Sequence, residues 1–167
     1  MNNKQLKLAA LAISFGLFVS ACATFGEADE RWVDYQSWKK ITEGKVSTGD
    51  PTGFVGTVHA GPEGYRDIYI NKIGIATNEG TAPYNYPVGT VIVKEQYKNQ
   101  AKWEAQHSPG ITIMVKVGAS NTPSADNWRW STGLTDTPEK NAFCSGCHTI
   151  ALANDFVFTN EDFFKTQ

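Results

Sequence analysis

The sequence predicts an α+β domain: a mostly antiparallel β-sheet with an N-terminal helix and a C-terminal helix that carries Cys-x-x-Cys-His. Three observations predict it. Apolar residues recur with period two through the middle of the chain. Strong turn signals separate these runs, and no helix-length segment lies between them, which favours antiparallel pairing. Helix-like spacing is confined to the two ends.

Taken in order, Trp32, Tyr35, Trp38 and Ile41 recur at helical spacing and predict one amphipathic helix near the start. In Tyr65 to Asn71, Ile68 and Ile70 share a face with Arg66, while Asp67 and Asn71 take the other. Gly89 to Tyr97 is β-branched and reads as a strand apolar on both faces. Ile111, Ile113, Val115 and Val117 alternate with Thr112, Met114 and Lys116 in a third strand, and Trp128 with Trp130 marks a fourth. Gly61-Pro62, Pro83 to Pro87, Ser108-Pro109-Gly110 and Thr122-Pro123 punctuate the runs. At the end, Asp136 or Thr137 caps a helix over 138–153, with Pro138 in its first position.

The chain has 167 residues and a formal charge of −2, with 41% hydrophobic and 19% charged residues. That is an ordinary globular mixture of about one domain. No block of basic residues exists, so nucleic acid is not an expected partner. Three cysteines are too few for a disulfide-stapled mini-protein.

Residues 1–21 read as an export signal. Lys4 and Lys7 precede a charge-free run from Leu8 to Val19, too short for a membrane span of about 20 residues. Val19-Ser20-Ala21-Cys22 resembles the lipobox of bacterial lipoproteins, which makes Cys22 the expected lipidation site. Ordinary cleavage after Ala23 is the competing reading, because Ala21-Cys22-Ala23 has the small-x-small form. Residues 22–31 then form the lipidated cysteine and a tether, and 32–167 the domain. Removing 21 residues leaves 146 and, with Lys4 and Lys7 gone, a charge of −4. The expected location is the periplasmic side of a bacterial membrane, held by a lipid anchor.

Cys144-Ser145-Gly146-Cys147-His148 is the attachment sequence for c-type haem. Two thiols at this spacing add across the two vinyl groups of one porphyrin edge, and the adjoining imidazole reaches the iron. A zinc site wants four ligands spread more widely, and a thioredoxin-like Cys-x-x-Cys should follow the first strand of a βαβ unit. One covalent haem c is therefore expected, with Cys144, Cys147 and His148 as its ligands. The other axial position decides between a closed electron carrier and an open binding site. His59, His107, Met114 or a lysine could fill it; Met114 is better explained as core packing, and the two histidines as solvated loop residues. Arg66 is the odd member of its strand, either buried against an anion or snorkelling from a sheet rim. Lys94 interrupts an apolar strand and by pattern alone reads as a solvated edge lysine.

Trp32 to Trp38, Arg66 to Ile70, Gly89 to Glu95, Asn127-Trp128, Cys144 to His148 and Asn154 to Thr159 occur in that order. Together they resemble cytochrome P-460 and its relative cytochrome c′-beta over residues 32–163. The resemblance implies a mostly antiparallel β domain with flanking helices, commonly a homodimer. It implies His148 as the proximal ligand of a five-coordinate iron, Lys94 as the lysine joined to the porphyrin edge, and Arg66 as a distal-pocket arginine. It also implies hydroxylamine oxidation with electrons passed to a periplasmic carrier, or, in the c′-beta relatives, nitric oxide binding without the lysine link. One position departs from the pattern: Thr112 stands where the hydroxylamine-oxidising proteins have a glutamate. Threonine can hydrogen bond but cannot serve as a general base near neutral pH. Binding is then expected to survive, with fast turnover in question.

Overall fold

The computed structural model describes residues 28–46 and 64–158. The signal segment 1–21, Cys22 and His59 lie outside them. Five strands form one antiparallel meander in chain order: β1 (Lys39–Val46), β2 (Tyr65–Ile70), β3 (Val91–Tyr97), β4 (Gly110–Lys116) and β5 (Trp128–Ser131). Among the described residues three short helices accompany it: α1 (Ile75–Asn78), α2 (Gln100–Glu104) and α3 (Ala142–His148). The α+β class and the four expected strands are present.

The N-terminal helix is a correction. Only a single 3₁₀ turn, Tyr35–Ser37, stands there, and the chain passes directly into β1, a fifth strand that periodicity did not show. The four apolar residues that suggested a helix serve opposite sides of the sheet: Trp32, Tyr35 and Trp38 pack on one face, Ile41 on the other. β1 is irregular, with register shifts between Lys40 and Thr42 and between Thr42 and Lys45. Gly44 sits in the second of these at φ +58°, and a Cβ there would fall 2.6 Å from the Trp103 ring. Both the backbone and the close approach require glycine.

The C-terminal helix is shorter than the expected 138–153. α3 begins at its cap Asn141, whose side chain accepts the Cys144 N–H at 3.0 Å, and it passes into a 3₁₀ segment over Thr149–Asn154. Asp136 and Thr137 therefore do not cap it, because Glu139 bridges to the edge strand β5 through Trp130 and holds that stretch extended.

Both faces of the sheet are covered. On one, Trp32, Tyr35, Tyr69, Val91, Val93, Ile113 and Val115 form a core. On the other, Ile68, Ile70, Ile92, Met114, Trp128 and Trp130 pack with Tyr84, Tyr86, Phe156 and Val157, and Cys144 lies against them. Each buried aromatic removes about 150–250 Å² from water, worth about 4–6 kcal/mol.

The first face also encloses two carboxylates. Glu95, wholly buried, accepts from Tyr35 Oη at 2.7 Å, Tyr97 Oη at 2.7 Å, Gln36 Nε2 at 3.1 Å and Tyr69 Oη at 3.3 Å. Asp67, also fully buried, accepts from Lys40 Nζ at 3.0 Å, Trp103 Nε1 at 2.8 Å and the Gly44 N–H at 2.7 Å. A buried charge is tolerated only with such partners. Their bonds tie β1, β2, β3 and α2 into a single rigid layer.

Candidate functional site

The other face carries the chemistry. Register places Lys94 directly opposite Thr112 on one side and Ile68 on the other, so these side chains share a face. The next row brings Ile70, Ile92, Met114 and Trp130 into line, and the preceding row holds Arg66 beside Gln96. Arg66, Lys94, Thr112 and Met114, separated by up to 48 positions in sequence, are thereby gathered on one patch of sheet. Glu95 points the opposite way, as the strand period requires.

Lys94 is no edge lysine. It lies on β3, the central strand, and burial, with Arg66 adding repulsion, pushes its ammonium down from an ordinary 10.5 to about 7. Cys144 and Cys147 are close enough for their charges to act on it in the opposite direction. Arg66 is driven down by burial as well, and its Nε has no hydrogen-bond partner among the described residues. The same holds for the Thr42 hydroxyl, in register with Ile68, and for the indole N–H of Trp130. Native proteins seldom leave such donors unmet. A group in this space that accepts hydrogen bonds and carries negative charge would satisfy them.

α3 supplies the opposite wall. Cys144 and Cys147, one turn apart, carry thiols not joined in a disulfide, and burial raises the Cys144 thiol. His148 ends the helix. Its Nδ1 lies 2.7 Å from the carbonyl oxygen of Phe156, which can only accept, so Nδ1 carries the proton. Burial, opposed by that hydrogen bond and aided by the charge of Lys94, lowers the imidazole to about 4. At neutral pH the ring is uncharged, with the lone pair on Nε2. This is the form of histidine that binds a metal. The Trp130 and Phe158 rings flank it at 6.1 Å and 5.0 Å between centroids.

Among the described residues, no three His, Cys, Asp or Glu side chains converge on a metal position. Nor is any described helix long and apolar enough to cross a membrane. His107 is not brought to this face: it is exposed after α2, its Nδ1 3.3 Å from Lys102 Nζ. Sequence reasoning missed Trp130 and the Phe156 carbonyl as neighbours of His148. Trp130 could have been found from its place beside Met114 in the register. The carbonyl leaves no trace in a side-chain pattern.

The residues fit a porphyrin. Paired thiols, a neutral imidazole with its lone pair on Nε2, a guanidinium whose Nε is unmet among the described residues and an amine near neutrality gather on the apolar face of Ile68, Ile92 and Met114. No curated protein matches the chain. A family model described as Cytochrome P460 matches residues 33–159.

Proposed function

This chain belongs to the cytochrome P460 family, a family of haem proteins, and on that premise we propose that it is an exported, lipid-anchored haem-c protein that binds, and can oxidise, hydroxylamine or nitric oxide. One observation supports the reading above the others. Lys94 is a buried amine near neutrality, facing Thr112 and within electrostatic reach of Arg66 and both thiols.

In this reading Cys144 and Cys147 would hold the haem through two thioethers, each S–H adding across a vinyl group with no other product. His148 Nε2 would be the iron's protein ligand. Lowered to about 7, Lys94 can present the neutral amine that would make the link to the porphyrin edge, a step that exchanges an N–H and a C–H for an N–C bond and takes a two-electron oxidant such as a peroxide from outside the protein. Arg66 holds negative charge at the cleft, whether on a carboxylate of the porphyrin or on a nitrogen-oxide ligand. Thr112 offers that ligand a hydroxyl, and Met114 with Trp130 and Ile92 keeps water out. When bound, the haem supplies an iron that takes small nitrogen-oxide ligands and exchanges single electrons with a periplasmic carrier. Cys22 anchors the domain through lipid to the membrane, and pairing of two copies is part of the same proposal.

A second reading, nitric oxide binding without turnover, is favoured by Thr112. Its hydroxyl, in register with Lys94, can hydrogen bond but cannot take a proton as a base near neutral pH. Asp155, on the same side of the sheet, is already held by Lys116. The third, electron transfer with Met114 on the iron, has less support, since Met114 is packed within the core cluster.

The test is the absorption spectrum of the reduced protein, produced from Ala23 onward in a host that attaches haem c, followed by hydroxylamine titration of the oxidised form. A red-displaced Soret band with a ligand-induced change agrees with the first reading. An ordinary high-spin haem-c Soret with tight nitric oxide binding selects the second. A sharp low-spin spectrum, indifferent to hydroxylamine, refutes both.

A further inference from the structure

The turn that supplies the Phe156 carbonyl is strained. Asp155 and Phe156 both lie in the left-handed region, at φ +53° and +67°. For residues with a Cβ this costs about 1–2 kcal/mol each, and a bulky side chain such as Phe is especially unsuited. Such a conformation persists where its surroundings over-determine it.

The surroundings here are specific. The Asp155 carboxylate accepts from Lys116 Nζ at 2.7 Å and 2.6 Å, one bond to each oxygen, and both side chains are sealed from solvent, at 2% and 1% exposure. Asp155 Oδ2 also accepts the Tyr86 N–H at 2.9 Å, and the Trp128 indole N–H approaches Oδ1 at 3.4 Å. Lys116 Nζ lies 4.9 Å from the centre of the Trp128 ring. Three backbone bonds close the turn: Asp155 N–H to Leu152, Phe156 N–H to Ala151 and Val157 N–H to Asn154. The result is a carbonyl turned back onto α3, 2.7 Å from His148 Nδ1.

Stability alone does not explain the ion pair, because an apolar pair of similar volume in a buried site is often equally stable or more so. An apolar pair could not accept the Tyr86 N–H or pin the turn from β4. We infer that Lys116 and Asp155 are positioning residues for His148: they hold the Phe156 carbonyl on Nδ1 and so set the ring's tautomer, its orientation and its strength as an electron donor. The inference rests on His148 being the iron's ligand. A histidine that donates its second N–H to a good acceptor is the more basic ligand. The pair therefore holds the haem at a lower reduction potential than the same fold without it.

The experiment compares the haem-loaded protein with Lys116→Met/Asp155→Asn, which removes both charges while Asn keeps an acceptor for Tyr86 and tolerates a left-handed backbone. The single change Asp155→Asn accompanies it. Glu95→Gln is the control, because it weakens the opposite face without touching the turn. Resonance Raman reads the iron–histidine stretch of the reduced protein, and a redox titration reads the potential. The stretch is expected to fall in frequency and the potential to rise in the double variant, with both unchanged in Glu95→Gln. An unaltered stretch and potential in the double variant overturn the inference, as does an equal shift in Glu95→Gln, which would make the effect one of general loosening. If the unmodified protein shows no iron–histidine stretch at all, the assignment of His148 falls first, and the inference with it.

Discussion

Lys94 and Glu95 are adjacent in sequence, and the structure assigns them opposite consequences. Glu95→Gln exchanges a buried carboxylate for an amide of the same shape. The amide oxygen can keep one pair of its four donors. Its NH₂ then confronts a phenol, and Tyr97 can turn its proton to Gln106 Oε1, already 3.0 Å away. Two short charge-assisted bonds thus become neutral ones, a difference of about 1–1.5 kcal/mol each. The expected loss is about 2–3 kcal/mol, or roughly 5–10 °C in Tm, with the Soret band unmoved. Lys94→Met does the reverse. Holding the amine at about 7 rather than 10.5 corresponds to about 5 kcal/mol against its charged form. A methionine of similar length escapes that penalty, so stability should hold or rise while any red displacement of the Soret band disappears. Thermal denaturation and absorption spectra of the two variants measure both halves. A Soret shift in Glu95→Gln, or a large stability loss in Lys94→Met, would show that β3 does not separate a structural face from a chemical one.

Two further outcomes follow from the same geometry. Tyr35, Tyr69 and Tyr97 are all raised, by burial first and by Glu95 second, through its hydrogen bonds to Tyr35 and Tyr97 and its charge at Tyr69; the folded state keeps their protons where the unfolded chain, with phenols near 10, gives them up. Stability is then complete below about pH 10 and is lost as pH climbs from there towards the folded values, so urea midpoints between pH 8 and 11 should fall only at the upper end, and a flat profile would contradict the cluster. Thr112→Glu places a carboxylate opposite Lys94, and hydroxylamine oxidation should rise by up to about a hundred- to ten-thousand-fold; steady-state kinetics giving no increase would show that position 112 does not reach the ligand.

How much of this was legible in the sequence depends on the distance over which each feature is encoded. The Cys144-to-His148 run is local, and so is the period-two alternation of β2 to β5, so both could be read directly. β1 could not. Of its described residues only Ile41 joins a core, and two register shifts break whatever alternation the strand has. The meeting of Arg66, Lys94 and Thr112 depends on strand register, which pattern leaves open until the sheet is assembled. Lys116 and Asp155, 39 positions apart, are the extreme case: alternation reports where Lys116 points, and nothing local reports its partner. The two sides of the finished sheet differ in how their polar groups end up. On one side Glu95 and Asp67 each gather several donors. On the other, Arg66 Nε, the Trp130 N–H and the Thr42 hydroxyl lack partners among the described residues, and Lys94 is held far from its ordinary charge state. A fold able to enclose two carboxylates so fully has the means to satisfy a few donors. That these donors stay unmet among the described residues, around His148 and the paired thiols, is what the proposed haem would relieve.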